Sequence, residues 1–315
     1  KPVLTIEQAM AAKTFVLPSH RLKRGNARRA IARAPHRLKR RLEIGGQDHF
    51  YLEGQVSLAV PAEDGDMVVY TSSQHPSEIQ HLVAKALGRK DNEVTVEVRR
   101  MGGGFGGKET QAALFAVSAA LLADKTGCPV KACIDRDDDM VMTGKRHDFV
   151  TDYEVGFDDD GRLLGIDIEL AARCGLSADL SAAICDRAMF HSDNCYYLEN
   201  ATIEGHRCKT NTVSNTAFRG FGGPQGMMGI EDAVDEIARY LVKDPLDVRR
   251  VNFYGTKDRN VTPYHMVVED NIIGEIVDTL EASSDYRVRR EAVKAFNGAS
   301  PVLKKGIALT PVKFG

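Results

Sequence analysis

Two glycine-dense segments carry the clearest chemical signal in this sequence of 315 residues. Phe-Gly-Gly occurs at 105–107 and again at 221–223, each time just ahead of a long helical pattern. Glycine lets a backbone come close to a ligand, and free N–H groups at a helix N-terminus suit an anion such as a phosphate. The repeated wording points to an anionic cofactor. Three charged residues lie in or near such chemistry. Glu109, just after the first cluster, reads either as a capping carboxylate favoured by the helix dipole or as an acid facing a ligand. Arg219, inside the second cluster, and Arg187, in CDRAMFH, are each either ion-pairing residues or ligand clamps.

Two familiar nucleotide motifs fit the first cluster poorly. Gly102, Gly104 and Gly107 satisfy G-x-G-x-x-G, but five glycines in six positions fit almost any glycine pattern. The acidic ribose ligand should close a strand some 20 residues further on, where the sequence is still helical, Leu121 to Thr126. Gly102 and Gly107-Lys108 nearly make a P-loop. The next residue must supply a hydroxyl to Mg²⁺, and it is Glu109, whose carboxylate would repel the phosphate.

The elements that must position these residues follow from periodicity and punctuation. Strands are expected at 66–73, 93–100, 129–135 and 202–210, and a hairpin across the Asp-Gly turn in DDDG, 158–161. Helices are expected at 75–88 with Pro76 in the first turn, from about Glu109 to Thr126 with Gly127 as stop, near 227–242, from Asp244-Pro245, and at 271–282 and 285–297. Strands and helices intermix without a steady βαβ rhythm, which indicates an α+β fold.

Composition sets the outer limits. Hydrophobic residues at 43% and charged residues at 27% suit a folded globular chain and not a disordered one. The longest apolar run, 112–123, has the length of a buried helix and is too short to span a membrane. The six cysteines have no C-x-x-C spacing, so neither zinc nor a disulfide framework is expected, and mostly buried, reduced thiols in a cytosolic protein are. The net charge of −2 conceals a split: ten Lys and Arg with no Asp or Glu fall within 21–41. Residues 1–43 therefore read as a basic linker or surface arm. No aromatic residue lies between Phe15 and Phe50, so nucleic-acid binding is not expected. The sequence opens without an initiator Met and closes after a strand-like run, so it is expected to be a piece of a longer polypeptide.

Taken together, several segments resemble the molybdenum-binding subunit of xanthine dehydrogenases, within the xanthine oxidase family of molybdenum hydroxylases. The likeness is carried by IGGQDHFYLEGQ (44–55), SSQHPSE (72–78), RMGGGFGGKET (100–110), TGKRHDF (143–149), CDRAMFHSDNCY (185–196) and SNTAFRGFGGPQG (214–226), with TPYHMVVED (262–270) and KGIALTPVKFG (305–315). The resemblance implies that 44–315 is the N-terminal half of a molybdopterin-binding domain, an incomplete α+β unit of mixed sheets and helices.

It also implies roles. Gln74 matches the glutamine that hydrogen-bonds an oxygen ligand of the metal. Phe105 and Gly106 match the loop whose backbone N–H groups approach that centre, and Arg219 the second loop beside the cofactor. Phe221 matches an aromatic ring that packs on a purine. Glu109 and Arg187 match the pair found in the family's purine hydroxylases, where aldehyde oxidases typically carry apolar residues. A guanidinium aimed at the exocyclic oxygen would stabilise negative charge that grows in the transition state. The implied activity is hydroxylation of hypoxanthine and xanthine to urate in the cytoplasm, with Mo held by the pterin dithiolene rather than by a side chain. 2Fe-2S clusters and FAD are expected on other domains or subunits, and the remainder of the molybdenum domain as a partner. The family's general base falls in a block outside this sequence, so no residue is assigned to it, and the isolated chain is expected to be inactive. The alternatives are another N-heterocycle or aldehyde as substrate, or a cofactor-free interaction fragment.

Overall fold

Alternation of apolar and polar residues builds the strands, and small residues decide how closely helices settle on them. The computed structural model describes residues 1–314. In chain order the elements are α1 (Ile6–Ala12), β1 (Phe15–Arg24), α2 (Ala27–Arg33), β2 (His36–Ile44), β3 (Val56–Pro61), β4 (Met67–Thr71), α3 (Pro76–Leu87), β5 (Val94–Glu97), α4 (Ala112–Thr126), β6 (Val130–Cys133) and α5 (Arg136–Met142). There follow β7 (Phe149–Phe157), β8 (Leu163–Gly175), α6 (Ser181–Phe190), β9 (Ala201–Lys209), α7 (Gly223–Leu241), α8 (Pro245–Asn252), α9 (Ile273–Ser283) and α10 (Tyr286–Ala299).

Among the described residues nine strands form two mixed sheets. One has the order β1-β9-β8-β7-β2, the other β5-β4-β3-β6. In the larger sheet only β8 and β9 run parallel; in the smaller, only β4 and β5. The mixed architecture is the α+β fold read from the sequence. The β7–β8 hairpin turns through Asp158–Arg162, where the Asp158 carboxylate accepts the N–H groups of Asp160 and Arg162 and Gly161 takes φ +86°.

Each sheet has its own core. Against the smaller sheet lie α3, through Ile79 and Val83, and α4, through Ala112, Ala116, Ala119, Ala120 and Ala123. The run of alanines lets α4 sit close to the strands. Against the larger sheet lie α6, α7 and α8, through Ile184, Ala188 and Met189, Ile230, Val234 and Ile237, and Val248. On its other face α2 settles onto the hairpin, where a Cβ at Gly156 or Gly165 would lie 2.7 Å from Ala34 or Ala30. No helix among the described residues is long and apolar enough to cross a membrane.

One expectation is corrected. Residues 1–43 are not a linker or free arm: they supply both edge strands of the larger sheet and the helix between them. Half-exposed edge strands tolerate charge, so their apolar positions, Leu22, Leu38 and Leu42, were too sparse to betray them. Much of the basic charge meets acids on neighbouring elements. Arg21 pairs with Glu204 on β9 at 2.5 Å, Arg40 with Glu236 on α7 at 2.9 Å, and Arg41 with Asp152 on β7 at 3.2 Å. The cysteines are mostly buried and free, as expected: Cys174, Cys185, Cys195 and Cys208 are buried thiols, and Cys128 and Cys133 are exposed ones. Burial pushes Cys185 and Cys208 each up to about 12.

The contact between α6 and α7 is the tightest helix packing near the glycine loops. A Cβ on Gly222 or Gly226 would fall 2.0 Å from the carbonyl oxygen of Ile184 or Ala188. Gly226→Ala should therefore destabilise the fold by about 1–3 kcal/mol, the cost of overpacking. Gly274→Ala, at an open position near the start of α9, should be neutral or stabilising. Equilibrium urea unfolding of both variants checks this, and equal stabilities would refute the close-approach argument.

Candidate functional site

The first glycine loop is held by side chains from 51–74. Glu53 accepts the Gly102 N–H and the Ser72 hydroxyl, both at 2.7 Å. Gln55 donates to the Gly107 carbonyl at 3.0 Å. Lys108 is wholly buried, its ammonium donating to the Glu53 carbonyl and the Ser72 hydroxyl at 2.7 Å and lying 4.6 Å from the Tyr51 ring centre. That placement excludes the P-loop reading, which needs the lysine free to meet phosphate. The nicotinamide motif fails too, because α4 opens at Ala112, after a further turn, and not on the glycines.

Gln74 lies at the lip of this loop. Its N–H donates to the Lys108 carbonyl at 2.9 Å. Its Oε1 accepts the N–H groups of Gly106 at 2.8 Å and Lys108 at 3.3 Å. Two backbone donors fix the amide's orientation, leaving Nε2 as a donor for something else. A Cβ on Gly104 would lie 2.6 Å from that Oε1, so a side chain there would push the Gln74 amide from this position.

The second loop docks directly on the first. The Arg219 N–H donates to the Phe105 carbonyl at 2.8 Å, and a Cβ on Gly106 would lie 2.8 Å from the Ala217 carbonyl. The segments 44–49 and 143–149 brace it. His49 lies 2.6 Å from the Ala217 carbonyl oxygen and stacks on Phe218, and Arg146 donates to the Arg219 carbonyl at 2.8 Å with its guanidinium 3.8 Å from the Phe218 ring centre. Burial pulls Arg146 down to about 10. The repeated Phe-Gly wording has a repeated shape. Phe105 and Phe221 both take left-handed backbone, φ +53° and +50°, followed by glycines at +100° and +93°. Left-handed phenylalanine is strained by about 1–3 kcal/mol, a cost usually met at functional sites. Among the described residues the N–H groups of Phe105, Gly220 and Gly222 find no backbone or side-chain acceptor.

Arg187 and Phe221 share one cavity of about 760 Å³, with Phe190, His191, Tyr264 and Phe314 among its walls. Arg187 comes from α6, an element that sequence periodicity missed. Its guanidinium lies 5.0 Å from the Phe314 ring centre, and its Nε is buried without a hydrogen-bond partner. Two neighbouring charges are satisfied elsewhere: Asp186 pairs with Arg207, and Lys313 lies 2.5 Å from Asp193, while Glu269 also lines the cavity and has no ion pair among the described residues. Arg187 has no acidic partner among the described residues, so the ion-pairing reading is set aside for this arginine. Arg219 also lacks an ion pair, but its side chain is exposed.

Glu109 sits in the turn between the first loop and α4, so it does not cap that helix from its first turn. It is half-buried. Burial raises its carboxyl pKa, Asp179 adds to the rise, and His75 opposes it. The cavity that holds Arg187 and Phe221 does not include Glu109, Gln74 or Phe105. These groups are joined instead through the 217–219 backbone, which touches the first loop and leads into Phe221. Sequence reasoning missed His191 and Lys313 in the cavity wall, and the bracing role of His49 and Arg146. The only signal was that His191 follows Arg187 by four residues on one helix.

Comparison with known proteins places this geometry. A family model described as the molybdopterin cofactor-binding domain matches residues 9–253. The chain is 41% identical to the xanthine dehydrogenase/oxidase of Gallus gallus over 316 residues, and 40% identical to the xanthine dehydrogenase of Dictyostelium discoideum over 313. Those alignments cover 100% and 99% of this chain, which spans 23% of the length of each relative. In fold it is similar to quinoline 2-oxidoreductase from Pseudomonas putida 86 (TM-score 0.84, 20% identity, 95% of this chain and 39% of that one). It is likewise similar to aldehyde oxidoreductase from Desulfovibrio gigas (TM-score 0.83, 24% identity, 95% and 33%). With a matching family model over most of its length and paired glycine loops rich in backbone donors, the chain belongs to the molybdopterin cofactor-binding domain family.

Proposed function

We propose that this chain supplies the cofactor loops and part of the purine pocket of a cytoplasmic xanthine dehydrogenase that acts in purine catabolism. The observation that carries this reading is Arg187, a half-buried guanidinium facing a cavity with no acidic partner. Such a group is available to an anion or to an oxygen that gains negative charge.

The residues fit a molybdenum-bearing pterin. Gln74 Nε2, the Phe105 N–H and the N–H groups of Gly220 and Gly222 are a donor set suited to oxygen ligands and phosphate. The glycines at 104 and 106 leave backbone where a Cβ would collide. When bound, the group supplies oxygen transfer and two-electron redox chemistry. Gln74, Phe105, Gly106 and Arg219 would hold it. On the substrate side, Phe221 offers an aromatic face for a planar heterocycle, and Arg187 meets the exocyclic oxygen as charge grows on it. Glu109, its pKa raised, keeps a protonated carboxyl available at higher pH than an ordinary glutamate, and so can donate to a ring nitrogen. The general base lies outside this sequence, as would the 2Fe-2S clusters and FAD that carry electrons away.

In the holoenzyme, Arg187→Met should lower kcat on xanthine by at least about a hundredfold, the scale of losing ~3 kcal/mol of charge stabilisation. Steady-state kinetics decides, and a loss under threefold contradicts the role. Glu109→Gln keeps a permanent donor of the same shape, whereas Glu109→Leu removes it. The Gln variant should stay within tenfold of wild type in kcat/KM on xanthine, and the Leu variant should fall about a hundredfold, the upper range for an unpaired buried group. If Leu serves as well as Gln, Glu109 does not donate to the substrate.

A further inference from the structure

The cavity wall contains a histidine to which no role has been given. His191 follows Arg187 by four residues, at the C-cap of α6, so the two side chains lie one above the other on one face. It is 4% exposed. Its ring stacks on Phe314 with centroids 5.8 Å apart, and the same Phe314 ring lies under the Arg187 guanidinium. On its other side the ring packs over Gly223, the residue that follows the Phe221-Gly222 turn. One imidazole therefore touches the platform beneath Arg187 and the base of the loop that carries Phe221.

We propose that His191 is a positioning residue: it holds the Phe314 ring beneath Arg187 and fixes that pair relative to Phe221 across the cavity. This rests on the purine reading given above. Arg187 has no ion pair to set its direction, so packing must do so. A side chain with four rotatable bonds and no partner otherwise samples many rotamers. Charge supports the assignment. Burial, then Arg187 and Lys313, hold the His191 pKa below its ordinary value, so the ring beside the guanidinium is neutral near pH 7. Its Nδ1 is buried without a partner among the described residues. A hydrogen bond to the Lys313 backbone opposes the lowering of the pKa, and it ties the ring to the segment that carries Phe314.

The test uses the holoenzyme with His191→Leu, which keeps volume and loses the stacked ring, and His191→Phe, which keeps the ring. Each is assayed on xanthine and on a neutral aldehyde, which needs no guanidinium, alongside Arg187→Met. Molybdenum content and Tm are measured for every variant. The proposal predicts that His191→Leu loses at least tenfold on xanthine, mainly in kcat, with aldehyde turnover within threefold of wild type and full molybdenum. His191→Phe should recover xanthine turnover to within threefold, and His191→Leu should cost nothing further in the Arg187→Met background. Equal losses on both substrates, no recovery with Phe, or depleted molybdenum would show a merely structural role and overturn the proposal. So would unimpaired xanthine turnover in His191→Leu while Arg187→Met is impaired. If Arg187→Met is itself unimpaired, the purine reading fails first, and the proposal with it.

Discussion

The site depends on one backbone contact, the hydrogen bond from the Arg219 N–H to the Phe105 carbonyl. It ties together two loops that come from different sheets and are more than a hundred residues apart in sequence. Main chain can approach main chain this closely only where side chains are absent. Gly106 against Ala217 and Gly222 against Ile184 meet that condition, since a Cβ at either would collide with backbone that cannot yield. The same contacts give both Phe-Gly steps their left-handed turn. Strain at Phe105 and Phe221 is thus held by these backbone contacts, although the Phe105 ring itself is exposed.

From this contact the other placements follow. Gln74 is oriented by the N–H groups of the first loop. His49 and Arg146 brace the second loop through the carbonyls of Ala217 and Arg219. Helix α6 settles on Gly222 and Gly226, and that determines where Arg187 emerges. The charge pattern is selective. Asp186 is engaged by Arg207 and Asp193 by Lys313, so among the described residues Arg187 is left without an acidic partner to face an incoming group. An arginine left unpaired at the edge of a cavity is poorly explained as a stabilising element and well explained as a receptor.

Much of this was legible in the sequence, and the limits have physical causes. Glycine patterns announce backbone geometry directly, so the two loops, the α4 stop at Gly127 and the β7–β8 turn could be read from residue types. A strand buried on one face, such as β4, alternates clearly. The edge strands β1 and β2 did not, because their exposed positions are basic and their inward ones only partly buried; a charged sheet edge looks like a linker until its acidic partners on β9, β7 and α7 are seen. Helix α6 was missed because it is short, and its buried face mixes Ser181, Cys185 and Ala188 with only two larger apolar residues, Ile184 and Met189. His191 stayed invisible because stacking on a residue more than a hundred positions away leaves no local pattern. The roles of Glu109 and Arg187 came from resemblance, and the structure adds their burial and the lack of an acid beside Arg187.

The most direct measurement of the central claim is a crystal structure of the holoenzyme with its pterin bound. The account predicts the metal-bearing end of the cofactor against Gln74 Nε2 and the Phe105 N–H, with the Arg219 loop against the first loop and Arg187 facing the reacting side. A cofactor seated away from both Phe-Gly-Gly loops, or loops that separate to admit it, would contradict the account.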